Sequence, residues 1–205
     1  MITIFDTETS GFITPSYPPE HPRQGRVLQV GALLLDESFK EMGSFCFLLK
    51  QDENREIHPK AFEQHGLTIE QCNAFGVRPE MAILCLDSFL KNSQYHIGFN
   101  IKFDIKMMNY EDAAAFGGDR GLERLVFTNT LCLMEYTTPI CKLPRPGFSS
   151  YKWPSLTEAY QHFHGELPPN AHDALDDCRY TAAILRKVYE IDSTILRPSN
   201  VVPIS

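Results

Sequence analysis

The stretch that most constrains this chain lies near its start, at residues 2–11, Ile-Thr-Ile-Phe-Asp-Thr-Glu-Thr-Ser-Gly. Four β-prone residues lead into Asp6 and Glu8, and the segment closes on Ser10 and Gly11. Alternate residues of a strand share a face, so Asp6 and Glu8 project together and Thr7 points away. Two carboxylates held a few ångströms apart repel each other and need a counter-charge at neutral pH. A hard divalent cation with oxygen ligands, such as Mg²⁺, supplies one. Taken alone, the pattern reads first as a strand that ends in a polar, solvated turn. The remainder of the chain decides between the two.

The 205 residues suffice for one domain with a sizeable core, placed at residues 1–191 and followed by a tail at 192–205. No apolar run approaches the roughly 20 residues of a membrane span. The N-terminus lacks the basic and apolar regions of a signal peptide, so a cytoplasmic protein is expected. Six scattered cysteines with no C-x-x-C spacing argue against a zinc site or disulfide framework. A net charge of −7 argues against a broad basic face for long duplex nucleic acid, but not against an enzyme that grips a chain end.

Three strands are expected within residues 1–50: residues 1–7, the apolar run 27–35, and 43–50, the last two forming an antiparallel hairpin. A proline-rich connector at residues 14–22 separates the first two and could border a substrate groove. Residues 58–66 read as a short helix or turn, Thr68 as the N-cap of another helical turn, and Pro79 as the first position of a further helix. Met81, Leu84, Cys85 and Phe89 supply the apolar stripe of that further helix. Residues 95–99 form a short strand, with Asn100 as N-cap of the helix after it. On that helix Asp104 shares a face with Met107 and Met108, which costs free energy unless the carboxylate is paired, metal-bound or at a wet rim.

Residues 126–134 read as a strand running into a helix, 139–151 as a loop, and Ser155 as the N-cap of an amphipathic helix carrying Leu156, Ala159, Tyr160 and Phe163. The last helix begins near His172, with Ala174, Cys178, Thr181, Ala182, Leu185 and Val188 as its stripe and Asp177 on the edge of it. His172 and Asp177 are five positions apart and do not share a helical face, so His172 belongs on the loop or first turn leading in. Residues 198–205 read as poorly ordered.

Three motifs thus stand in order: Asp6-x-Glu8, Asn100-x-x-Phe103-Asp104, and His172-x-Ala174-x-x-Asp177. Together they resemble the DEDDh 3′–5′ exonucleases, a family that includes the proofreading subunits of bacterial replicative polymerases, RNase T and oligoribonuclease. The resemblance covers about residues 1–190. Pro59-x-Ala61-Phe62-x-x-His65-Gly66-Leu67 is similar to a segment of the proofreading subunits. Asn129-Thr130-Leu131 resembles the family's D-T-L, with asparagine for aspartate read as a change behind the metal ligands.

The resemblance implies an α/β, RNase H-like fold, a mixed five-stranded sheet flanked by helices. It implies two divalent ions, Mg²⁺ or Mn²⁺, with Asp6, Glu8 and Asp177 holding one, Asp6 bridging to the second, and Asp104 assisting. His172 would be the general base, a role its ordinary pKa near 6.5 suits. Thr7, Thr9, Phe12 and Asn100 would meet the substrate, Phe12 as a wedge against the last base. The partner is then a nucleic acid 3′ end, DNA favoured and RNA open, bound by a monomer or homodimer. A non-catalytic nucleic-acid-binding domain and an RNase H-like endonuclease are the competing readings. Some residues keep two readings: Phe12 as wedge or core anchor, Trp153 as base-stacking ring or, the reading preferred, packing beneath its loop. Asp173 and Asp176 read as favouring the last helix's N-terminus.

Overall fold

The computed structural model describes residues 1–117, 125–169 and 173–197. Their strands are β1 (Ile2–Thr9), β2 (Val27–Leu35), β3 (Glu41–Leu48), β4 (Tyr95–Gly98) and β5 (Thr130–Cys132). The helices are α1 (Pro59–His65), α2 (Ile69–Phe75), α3 (Pro79–Lys91), α4 (Ile101–Phe116), α5 (Leu133–Cys141), α6 (Leu156–His164) and α7 (Ala174–Ile191). The five strands form one sheet in the order β3-β2-β1-β4-β5. β1–β2 and β2–β3 are antiparallel, while β4 and β5 run parallel to β1. This is the mixed five-stranded, RNase H-like sheet that the resemblance implied.

Period-two side chains split the core in two. Ile2 and Ile4 of β1, with Leu33 and Leu35 of β2, pack under α5, α6 and α7. Phe5 of β1, with Val30 and Ala32 of β2, packs under α3 and α4. Parallel pairing sets the edges: Ile2 is level with Tyr95, so the end of β1, the end of β4 and the first turn of α4 share one edge of the sheet.

Several local signals act as expected. Thr68 and Ser155 each form a reciprocal capping box, with Gln71 and Glu158. Pro59 and Pro79 open α1 and α3. Other expectations are corrected. α3 buries Ala82, Ile83, Leu86 and Leu90, whereas Met81 and Leu84 are exposed. Glu80, Asp87 and Lys91 share one side of this helix and the buried residues lie away from it, so the expected stripe was centred too near Met81 and Leu84. Asn100 holds the N-cap position of α4, but in the left-handed region (φ 74°) and without a side-chain capping bond. β3 begins two residues before the expected start, at Glu41. α5 continues to Cys141 with Pro139 near its end, where proline removes a single hydrogen bond of the last turn.

The prolines of the connector after β1 do not leave it loose. The Gln24 side chain, 1 % exposed, accepts from the Thr14 N–H and donates to the Thr14 and Tyr17 carbonyls, and Arg55 donates to the carbonyls of His21 and Gln24. Beyond α7, Ile195 is fully buried and the Tyr136 hydroxyl donates to Asp192 at 2.5 Å. Residues 198–205, expected to be poorly ordered, lie outside the described residues.

Candidate active site

Asp6 and Glu8 leave the same face of β1, the face covered by α7, and Asp177 comes down on them from the first turn of that helix. One carboxylate oxygen from each of the three lies within 4.8 Å of the others. Asp104, from the first turn of α4, completes the acidic edge, although it stands outside that tight group of three. Asp104 and Asp177 are buried, and Asp6 and Glu8 are partly exposed.

Such a cluster is costly as bare anions. Burial, then Asp104, Asp177, Glu8 and Asp173, pushes the Asp6 carboxyl well above the usual carboxylate range. Burial first, and the negative charges of Asp177, Asp104 and Asp173 next, push Glu8 up to about 8. Burial pushes Asp104 up to about 7, against the opposing pull of its hydrogen bonds from Thr7. All the donors are hard oxygens, and their proton affinity is raised by burial and by one another's negative charge. The donor set therefore fits divalent cations of the Mg²⁺ or Mn²⁺ kind.

Local structure explains how the carboxylates are held. Thr7 donates to Asp104 Oδ1 from its backbone N–H (3.0 Å) and from its hydroxyl (2.7 Å). Thr7 does point away from Asp6 and Glu8, but into α4. With Thr9 it is buried, so the side chain expected against substrate is spent on orienting Asp104. Asp173 caps α7, accepting from the N–H groups of Leu175 and Asp176, as its position before the helix suggested, while Asp176 pairs with Arg179 at 3.1 Å. His172, the expected general base, lies outside the described residues.

Gln29 and Gly31 are functional supports that the sequence reading passed over inside an apolar run. Gln29 is level with Glu8 and Gly31 with Asp6. Gln29 Nε2 donates to Asp173 Oδ2 (2.9 Å), and Gln29 Oε1 accepts from the Ala174 N–H (3.0 Å). A Cβ on Gly31 would stand 2.4 Å from the Leu175 nitrogen, so only glycine lets α7 approach this closely. The readable signal was that β2 breaks its apolar run at these two same-face positions alone.

A second unanticipated support is a bidentate pair. Arg26 Nε and Nη2 donate to the two Glu111 oxygens at 2.7 Å each, and the Val27 N–H donates to Glu111 Oε1 at 2.8 Å. Arg26 also exchanges bonds with Ser10, donating from its N–H to Ser10 Oγ and accepting the Ser10 N–H. The segment similar to proofreading subunits packs on the same turn, with His65 Nε2 on the Thr9 carbonyl (3.1 Å) and the His58 N–H on the Ser10 carbonyl (2.8 Å).

Phe12 is no core anchor: it is 78 % exposed and stands edge-on to Phe103 at 5.7 Å. A cleft of about 490 Å³ opens beside it, lined among others by Ser10, Gly11, Tyr17, Arg23 and His58. Asn100 is exposed at the start of α4. Asn129 is corrected. It precedes β5 at the opposite edge of the sheet, donating to the Gln94 carbonyl (3.0 Å). That is on the order of 13 Å along the strands from Asp6, by a rise of about 3.3 Å per residue, so Asn129 does not stand behind the metal ligands. Trp153 is 62 % exposed and does not pack beneath its loop.

Comparison with known proteins agrees with this geometry. The family model described as Exonuclease (RNase T) matches residues 3–185. No curated protein sequence matches. Among solved structures, E. coli Exonuclease I in complex with a dT13 oligonucleotide is 21% identical with a TM-score of 0.66, over 95% of this chain and 42% of that one. Exonuclease I from Methylocaldum szegediense is 20% identical with a TM-score of 0.70, over 95% and 41%. A zinc-bound E. coli Exonuclease I–ssDNA complex is 21% identical with a TM-score of 0.65, over 94% and 41%. The chain thus spans about two fifths of the length of these structures. With an exonuclease model matching nearly its whole length and the four carboxylates of its motifs at one sheet edge, this chain belongs to the exonuclease family, of the DEDDh type.

Proposed function

We propose that this protein hydrolyses nucleic acid stepwise from the 3′ end, releasing nucleoside 5′-monophosphates, with single-stranded DNA or a 3′ overhang as substrate. The observation that carries the reading is the convergence of Asp6, Glu8 and Asp177 within 4.8 Å, with Asp104 beside them. Family membership supports the chemistry. DNA is favoured by the oligonucleotides bound to the Exonuclease I structures.

Asp6, Glu8 and Asp177 would hold one divalent ion, and Asp6 with Asp104 a second. Bound there, such ions activate a water and stabilise charge on the attacking and leaving oxygens of the phosphodiester. Thr7 fixes Asp104 through Oδ1, which leaves Oδ2 as its ligating oxygen. Gln29 and the Asp173 cap set the height of α7, and so of Asp177, above β1. His172, just before that cap, takes the proton of the attacking water. Phe12, backed by Phe103, stacks against the terminal base, and the cleft beside it receives the terminal nucleotide.

The test is a time course on matched 5′-labelled DNA and RNA oligonucleotides with Mg²⁺. Stepwise shortening is expected for the native protein, and none for Asp104→Ala or Asp177→Ala of unchanged circular dichroism, or in excess EDTA. Full activity of either variant, or in EDTA, overturns the reading. Equal cleavage of a circular substrate replaces it with an endonuclease. Faster shortening of RNA than of DNA reverses the substrate assignment.

A further inference from the structure

The loop between α5 and α6 has a surface unlike the rest of the molecule. Phe148, Tyr151 and Trp153 are 62%, 45% and 62% exposed, within six residues of one another. Large aromatic rings are seldom left so open unless something covers them. Charge on this segment also runs against the whole. The chain carries a net −7, yet residues 136–157 hold Lys142, Arg145 and Lys152 and no aspartate or glutamate.

Arg145 lies over the Phe148 ring at 4.0 Å and has no acidic partner among the described residues. Lys152 pairs with Glu158 at 2.6 Å, with both side chains open to solvent, an exchangeable contact. Arg145, Tyr151, Lys152 and Trp153 line a pocket of about 380 Å³. The backbone presents these groups in a set arrangement. Pro144, Pro146 and Pro154 fix their φ angles, and the Lys152 N–H closes the loop on the Leu143 carbonyl (3.0 Å). Little ordering entropy is then lost when the rings are covered.

Rings interleaved with cations are what a single strand of nucleic acid requires, because every base has a face to stack and every step a phosphate. We propose that this loop is a second contact for the substrate strand, upstream of the end being hydrolysed. Bases stack on Trp153 and Tyr151, and phosphates meet Arg145 and Lys152. The inference rests on the exonuclease reading for its substrate. The loop leads directly into α6, whose Tyr160 packs edge-on against Tyr180, one turn along α7 from Asp177.

Trp153 is the chain's only tryptophan, so its fluorescence reports on this loop directly. The probes are thymidine dinucleotide and an oligothymidylate of about 16 nucleotides, both in EDTA so that nothing is hydrolysed. The long probe is expected to quench the tryptophan and the dinucleotide to leave it unchanged. With Mg²⁺, Tyr151→Ala/Trp153→Ala should raise KM for the long probe by about tenfold. It should leave hydrolysis of the p-nitrophenyl ester of thymidine 5′-monophosphate at the native rate. Arg145→Glu, at an exposed position, should raise KM in the same direction if the double variant folds poorly. No quenching by the long probe, or an unchanged KM in the Arg145 variant, overturns the inference while ester hydrolysis keeps the exonuclease reading. Quenching by the long probe in a protein that cleaves neither substrate upholds the contact and sinks the exonuclease reading instead.

Discussion

Thr7 sits between the two acids of its own strand and holds a third that comes from another element. Its hydroxyl and N–H both donate to Asp104 Oδ1. A hydrogen bond to a charged group contributes about 1.5–3 kcal/mol, so its loss should act on the geometry of Asp104 more than on the fold. Thr7→Val removes the hydroxyl bond and keeps the N–H bond. The expected outcome is a drop in kcat of about tenfold at unchanged KM for a short oligonucleotide, with Thr7→Ser restoring most of the rate. An unchanged kcat in Thr7→Val would show that the main-chain bond alone orients the carboxylate. The four acids were legible in the sequence because each breaks a pattern: Asp6 and Glu8 end an apolar strand, Asp104 sits among methionines, and Asp177 edges a helical stripe. Thr7 was not legible as a support. The period of a strand says which face it leaves, and nothing in it says that a carboxylate waits there.

At the scale of the element, the position of α7 against β2 sets the position of Asp177. Gly31 admits the helix backbone, and Gln29 bonds its first turn. Gly31→Ala forces a methyl into the Ala174–Leu175 peptide, 2.4 Å from the Leu175 nitrogen. Overpacking of this kind costs typically about 1–3 kcal/mol, and here the strain is relieved by lifting α7 away from Asp6. The expected outcome is a lower urea midpoint together with a loss of hydrolysis of 100-fold or more, because a displacement near 1 Å is enough to spoil catalytic positioning. Native activity with reduced stability would show that α7 pivots about Asp177. Helices with sharp end signals were legible, as Ser155 and Thr68 show, because capping is local chemistry. The face of α3 was misplaced, because its stripe was drawn through Met81 and Leu84 and not away from Glu80, Asp87 and Lys91. Asn100 was placed correctly for another reason than its conformation, which is left-handed.

Across the whole molecule, a net charge of −7 and four acids at one edge make the protein sensitive to what neutralises that edge. Glu8, held up to about 8, and Asp104, up to about 7, keep protons in the folded state that the unfolded chain gives up near its ordinary carboxylate pKa. Without metal, the folded state is therefore favoured at low pH and loses that stability as pH rises through the window from about 4 to 8. Divalent ions compete with those protons. The increase in Tm on adding Mg²⁺ or Mn²⁺ is thus expected to be larger at pH 8 than at pH 5.5, by thermal unfolding in matched buffers. Equal increases at the two pH values would remove the protonated cluster from the account. The clasp of Gln29 on Asp173 has a further consequence, for the order in which the molecule comes into being. It joins positions 144 apart, and the Thr7–Asp104 bonds join positions 97 apart. Contacts so distant along the chain are entropically expensive to bring together and form late in folding. A ribosome that has delivered α6 has already delivered Asp6, Glu8 and Asp104, but not the helix that brings Asp177 to them. The acidic edge is complete only once the last long helix has docked and brought Asp177 to Asp6 and Glu8.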